Sequence, residues 1–248
     1  MEKISLNKIK WISSLQLLKN RRNEQLFVVE GEKGVKEAIT YFSANIHTLV
    51  ATEKFIQEND CSSFDSFIAN EKELERMTGL SSNSSALAVC RYPKKSTLQL
   101  EPYVLALDGI RDPGNLGTMI RTAEWFGLQH VVCSEDTVDC FNPKVIQSSM
   151  GSIFRVLVHY LDLNAFLSTI KSPIYGAVLN DKATDFFTIR PETGSVLLIG
   201  SESHGIRKET VEFVSHPVFI PGFGQTESLN AGVAAGILLH HWSKSLLA

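Results

Sequence analysis

Residues 103–127 read YVLALDGIRDPGNLGTMIRTAEWFG, and the fold turns on this stretch. YVLALD (103–108) is short and apolar up to its aspartate, which predicts a strand covered on both faces. LGTMIRTAEWFG (116–127) sets Leu116, Met119, Ile120 and Ala123 on one stripe, which predicts a helix. A strand feeding a helix is the repeating unit of an α/β fold. Asn115 is expected to cap that helix by accepting from backbone N–H groups near Gly117 and Thr118. Gly117 admits the close approach of another backbone or a ligand. Arg121 stands about 9 Å further along the axis. Helical side chains lean toward the N-terminus, so its guanidinium can reach back to the rim of the sheet. The plainer reading of the same residues is a surface arginine on a capped helix.

The alternation continues on both sides. Toward the C-terminus, HVVCS (130–134), FRVLVHY (154–160), IYGAV (174–178), VLLIG (196–200) and HPVFIP (216–221) read as strands, suited to a parallel sheet. Helices are expected over 143–152 and 162–171, and LNAGVAAGILLHHW (229–242) closes the chain as a helix. Toward the N-terminus, RYPKKSTLQLEP (91–102) holds two prolines and few apolar anchors. It separates an amino-terminal domain, 1–95, from a carboxyl-terminal domain, 103–248, through a linker at 96–102. Within the first, FVVE (27–30), IHTLVA (46–51), FDSFIA (64–69) and ALAVC (86–90) are strand-like. EKGVKEAITYF (32–42) and KELERMTG (72–79) have helical character, the latter ending at Gly79, and LSSNSS (80–85) is a polar loop. These elements make a small α/β unit of their own.

Net charge over the 248 residues is −3, so the chain lacks the global basic signature of a nucleic-acid binder. The distribution is uneven: residues 1–100 carry 14 Lys and Arg against 12 Asp and Glu, and residues 101–248 carry 10 against 15. Lys3, Lys8, Lys10, Lys19, Arg21 and Arg22 face a single anion, Glu2, within the first 22 residues. Such a cluster can hold a phosphate backbone, or it is a solvated basic arm. The four cysteines form no CxxC pair, and Cys90 and Cys133 sit in apolar strands as buried thiols. With a charged start lacking a signal-peptide apolar region, they point to a reducing cytoplasm. The longest apolar run, AGVAAGILL (231–239), is far short of the roughly 20 residues of a membrane helix.

Ligands of open α/β sheets bind outside the carboxyl ends of strands, and two further loops at such ends carry unusual residues. GSESHGI (200–206) follows VLLIG and places Glu202 where it could orient a hydroxyl, an amine or Arg121. It is not a nucleophile elbow, since position 201 is serine and no aspartate follows it. IPGFGQTESLNAGVAAG (220–236) is expected to form a tight, backbone-exposed loop through Pro221, Gly222 and Gly224. Ser228 and Asn230 then present polar groups where a helix begins, and Gly232 and Gly236 imply a close packing partner.

Together the three loops resemble the SpoU–TrmH branch of the SPOUT RNA methyltransferases. The resemblance rests on N-x-G-x-x-x-R (Asn115, Gly117, Arg121), G-S-E-x-x-G (Gly200 to Gly205) and I-P-x-x-G-x-x-E-S-L-N (Ile220 to Asn230), and covers residues 103–242. NPKVIQSSMGSIFRV (142–156) is similar to a further stretch of that family, and VVEGEKGVKEAI to its ribosomal-protein-like substrate-binding domain. The resemblance implies a carboxyl-terminal α/β domain with a deep trefoil knot, a homodimer, and S-adenosylmethionine as cofactor. Its reaction is methyl transfer to a ribose 2′-hydroxyl of RNA, with ribosomal RNA expected ahead of transfer RNA. By carry-over, Leu179, Gly200, Ile220, Ser228, Leu229 and Asn230 serve the cofactor. Asn115, Arg121, Glu202, Ser228 and Asn230 form the polar, catalytic site.

No metal is needed, since the sulfonium is already an excellent methyl donor and the protein supplies alignment and proton removal. Arginine holds its proton above about pH 12. Arg121 therefore either accepts the hydroxyl proton transiently or holds an RNA phosphate while another group accepts. The sequence departs from the family at Ala231-Gly232, at Gly222 and at Gln147, which touches packing around the cofactor and one RNA contact. The rivals are a catalytically silent RNA-binding protein of the same fold, an enzyme acting on a base or another acceptor, and a transfer RNA methyltransferase.

Overall fold

The computed structural model describes every residue except 80–84, 95, 101–102, 180 and 247–248. The polar loop expected at 80–85 therefore lies, but for Ser85, outside the described residues. In chain order the first elements are β1 (Glu2–Lys3), α1 (Leu6–Ser14), α2 (Leu18–Glu24), β2 (Leu26–Glu30), α3 (Glu32–Tyr41), β3 (Ile46–Ala51), α4 (Glu53–Glu58), β4 (Ser66–Ile68), α5 (Glu71–Glu75) and β5 (Ala86–Arg91). There follow β6 (Val104–Asp108), α6 (Pro113–Trp125), β7 (His130–Ser134), α7 (Pro143–Ser149), β8 (Leu157–Leu161), α8 (Leu163–Thr169), β9 (Ile174–Ala177), β10 (Thr184–Asp185), β11 (Val196–Gly200), α9 (Lys208–Val211), β12 (His216–Phe219) and α10 (Ala231–Leu246). The chain divides into two compact units, one of Met1–Lys95 with Phe141–Phe154 and one of Ser96–Cys140 with Arg155–Ala248.

The first unit is built on a sheet of order β1-β4-β3-β5-β2, parallel across β1, β4 and β3 and antiparallel from β3 through β5 to β2. Its core joins Ile9, Ile12 and Leu15 of the first helical turn region to Val28, Val50, Leu87 and Val89 of the sheet. The amino-terminal segment is thus not an arm. Its cations lie on β1 (Lys3), α1 and α2; Ile9 and Ile12 of α1 are buried, whereas Leu6 and Leu18 are exposed. Arg21 is itself buried, with Nη1 donating to the carbonyls of Leu15 at 3.1 Å and Gln16 at 2.7 Å. Lys8 is paired with Asp65 at 3.3 Å and lies over the Phe67 ring, so among the described residues four of the six cations are left for solvent or a phosphate. α5 stops at Glu75, well before Gly79, whose N–H donates instead to the Glu30 carboxylate at 3.1 and 3.2 Å.

The sequence reading puts residues 141–154 in the second domain, whereas their packing puts them in the first unit. Phe141 stacks on Phe27 with ring centroids 4.5 Å apart, and Phe154 stacks on Phe42 at 5.2 Å. The helix expected at 143–152 is α7, closed at Met150 by a left-handed turn (φ 52°). Residues 152–154 form a single 3-10 turn, so β8 starts at Leu157 rather than at 154.

The second unit carries a sheet of order β10-β12-β9-β11-β6-β7-β8 in which every pairing is parallel. Both faces are covered, as the continuous apolar strands demand. Val104, Ala106, Val196 and Leu198 join one core cluster with Leu163 and Leu167 of α8. Their alternates Leu105, Leu107, Leu197 and Ile199 are buried as well. β6 lies inside the sheet, with β7 and β8 on one flank and the later strands on the other. The order thus reverses at β6, the kind of place where α/β sheets receive ligands.

Candidate active site

α6 begins three residues earlier than the apolar stripe suggests. Asp112, not Asn115, is its cap: the Asp112 side chain accepts from the Asn115 N–H at 2.8 Å, and Pro113 fills the first turn. Proline suits that place, because its missing N–H would be unsatisfied there and its φ is already helical. Asn115 is consequently inside the helix, and its side chain is released for another task. Its Oδ1 accepts from Asn230 Nδ2 at 2.9 Å.

Asn230 is the junction of the site. Its Nδ2 also donates to Glu202 Oε1 at 2.5 Å, and its Oδ1 accepts from the N–H groups of Gly232 at 3.0 Å and Val233 at 3.2 Å. It thereby caps α10, and Glu202 Oε1 takes a further N–H from Ala231 at 3.3 Å. A carboxylate at the positive end of a 16-residue helix is favourably placed. One side chain from each of the three sequence motifs thus meets in a single hydrogen-bonded cluster.

Two glycines on α10 face α6, and the first of them makes that meeting feasible. A Cβ added at Gly232 would lie 3.3 Å from the Thr118 methyl and 3.5 Å from Asn115 Oδ1, and one at Gly236 would lie 3.9 Å from the Thr122 methyl. The close partner expected for this glycine pair is therefore α6, packed helix on helix. The contact brings the start of α10 beside Asn115.

A cavity of about 840 Å³ opens at the carboxyl ends of β9, β11 and β12. Leu179, Gly200, Glu202, Ile220, Ser228 and Leu229 all line it. Gly200 is register partner to Asp108 of β6. Any side chain at Gly200 would meet Gly205 backbone atoms at 2.0 and 2.1 Å, because the loop folds back on itself through a Ser201–Gly205 bridge. The 220–230 loop differs from expectation. It is exposed, but Gly222 and Gly224 are uncrowded, with nothing within 4 Å of an added Cβ, so the local backbone does not force glycine there.

Arg121 stands apart. It is exposed on α6, is not among the residues lining the cavity, and among the described residues has no hydrogen-bond or ion-pair partner. Among the described residues, no group of three or more His, Cys, Asp or Glu side chains is arranged to hold a metal ion. No helix there is long and apolar enough to cross a membrane. The residues missed by sequence reasoning are Asp112, Thr118 and Thr122. Asp-Pro ahead of an apolar stripe is a start signal that could have located the first.

The SpoU rRNA Methylase family profile matches residues 102–240, and that of an MRM3-like substrate binding domain matches residues 7–88. The 23S rRNA (guanosine(2553)-2′-O)-methyltransferase RlmP of Bacillus subtilis is 32% identical over 244 residues, covering 97% of this chain and 98% of the relative. A TrmH-family structure from Porphyromonas gingivalis is 32% identical with a TM-score of 0.87, over 96% of this chain and 98% of its own. The AdoMet-bound rRNA methyltransferase of Sinorhizobium meliloti is 27% identical with a TM-score of 0.86, over 100% of this chain and 98% of its own. The profile covers over half the residues and the first relative spans nearly all of both chains, so this chain belongs to the SpoU rRNA Methylase family.

Proposed function

We propose that this protein transfers a methyl group from S-adenosylmethionine to a ribose 2′-hydroxyl of ribosomal RNA. The observation that carries the reading is the cluster at Asn230, which joins Asn115 and Glu202 beside a cavity of ligand size. About 840 Å³ lies within the roughly 300–1,000 Å³ of small-molecule sites. The lining suits the cofactor: Leu179, Ile220 and Leu229 offer apolar surface to an aromatic base, the Gly200 strand end offers backbone groups, and the Glu202 carboxylate complements positive charge. Bound there, S-adenosylmethionine supplies an activated methyl group. Ser228 and the backbone near it orient the ligand, and Asn115, Glu202 and Asn230 hold the wall in shape.

Arg121 acts on the RNA. A planar guanidinium with its fork of N–H donors is suited to grip the phosphate beside the reacting ribose. Since Arg121 does not line the cavity of its own chain, we take the working form to be a homodimer in which each copy lends Arg121 to the other. The amino-terminal unit binds the RNA substrate, a role supported by its profile match. The deep trefoil knot belongs to the same reading, supported by the family match over the second unit. So does a cytoplasmic setting, which suits four free buried cysteines.

Two experiments test this. Ribosomal RNA and transfer RNA, each incubated with protein and labelled cofactor, are digested to nucleosides. Label on a ribose supports the reading, and label on a base, on transfer RNA alone or nowhere overturns it. Arg121→Ala retains cofactor binding but loses about a hundredfold or more in turnover. Mixed with inactive Asn230→Ala copies, it regains activity if one intact site forms per heterodimer, and no regain defeats the shared site.

A further inference from the structure

The loop that carries Glu202 is anchored by charges that the functional reading does not use. Asp108, at the end of β6, is buried, and its carboxylate takes three donors from Arg207. The Arg207 backbone N–H reaches Oδ2 at 2.9 Å, and Nε and Nη2 reach Oδ1 at 2.6 and 2.5 Å. Arg207 follows the loop directly, so this contact fixes its returning end. Its departing end is fixed too, because Gly200 is the register partner of that same Asp108. Entry and exit of the loop are therefore held against one residue of β6.

A second carboxylate steadies the arrangement. Asp136 Oδ1 lies 3.5 Å from Arg207 Nη1 and accepts from Ser134 Oγ at 2.8 Å, and that Ser134 oxygen accepts from the Gly109 N–H at 2.9 Å. Arg111 stands on the outside of Asp136 at 3.9 Å and is largely exposed. Hydrogen bonding to Asp108 pushes the Arg207 guanidinium above its already high ordinary value, so Arg207 keeps its charge.

We propose that Asp108 and Arg207 are positioning residues for the cofactor site: they clamp the 200–206 loop and so set where Glu202 meets Asn230 and the start of α10. The role rests on the proposed function, since the cavity wall they hold in place is the one assigned to S-adenosylmethionine. Removing the guanidinium leaves a buried carboxylate with, among the described residues, only the residue-207 N–H, which frees the loop to shift. A misplacement of about 1 Å can cost on the order of a hundredfold in rate.

The test is calorimetric titration with S-adenosylhomocysteine, together with cofactor KM, kcat and Tm. Unsubstituted protein is compared with Arg207→Gln, Asp108→Asn, Arg111→Gln, Glu202→Gln and the double variant Arg207→Gln/Glu202→Gln. Arg207→Gln and Asp108→Asn are expected to weaken binding about tenfold or more, mainly in KM. Arg111→Gln is expected to bind as the parent does. In the Glu202→Gln background, Arg207→Gln should add less than about twofold, because the clamp acts through Glu202. Parent-like binding by Arg207→Gln, or an undiminished loss in the double variant, overturns the positioning role. If Asp108→Asn does not fold, Arg207→Gln decides. Failure of the parent to bind removes the cofactor reading itself, and the clamp's role with it.

Discussion

Gly200 and Gly222 line the same cavity, yet they stand in opposite surroundings. A Cβ at Gly200 would lie 2.0 Å from the Gly205 carbonyl carbon, whereas one at Gly222 would meet nothing within 4 Å. The first wall is dictated by the fold: strand, bridge and Asp108–Arg207 pair leave a single conformation, and glycine is the residue that fits it. The second wall follows β12 through an exposed loop that touches little of the protein. Glycine there cannot be explained by local packing. One wall is therefore a fixture, and the other is not held by local packing at its glycines.

Gly200→Ala is expected to be the most damaging, costing about 4 kcal/mol or more, since the colliding atoms are backbone and cannot rotate away. Denaturant unfolding measures it, and a loss under about 1 kcal/mol would mean the first wall yields easily. Asn230→Ala removes the α10 cap and one partner of Glu202. It should cost about 1–2 kcal/mol in stability and abolish measurable cofactor binding. Retained affinity in that variant would detach the cluster from the cavity.

Gly236→Ala tests the helix contact. With its nearest neighbour an ordinary 3.9 Å away, alanine should stabilise α10 by roughly 0.5–1 kcal/mol, read as a rise in Tm. Gly222→Ala and Gly224→Ala should leave unfolding within about 0.5 kcal/mol of the parent. If cofactor titration also stays unchanged, the second wall is a bystander. A weaker titration with intact stability would assign those two positions to the ligand.

Legibility from sequence followed physical locality. Strands β3, β7 and β11 were readable to the residue, because continuous β-branched and aliphatic runs between polar ends leave little choice of register. The apolar stripe hides the true start of α6, which the Asp112-Pro113 pair marks. α1 and α2 were hidden by their own cations, although Ile9, Ile12 and Leu15 keep helical spacing there. Residues 141–154 show how neighbours in sequence can mislead. Their partners, Phe27 and Phe42, lie about a hundred positions upstream, and nothing local announces them. The same limit holds for the site. Asn115, Glu202 and Asn230 were each visible as polar residues at strand or helix ends, but their hydrogen bonds span up to 115 positions. Motif resemblance, not periodicity, grouped them in advance.

Asn230 has both amide hydrogens and its oxygen engaged, and that saturation makes its chemistry hard to replace. An aspartate of nearly identical shape would set two carboxylates where an amide now faces Glu202 at 2.5 Å. Such a pair must share a proton or separate. A slow loss of that one nitrogen, with no change of fold, would put repulsion at the point where the three motifs now meet.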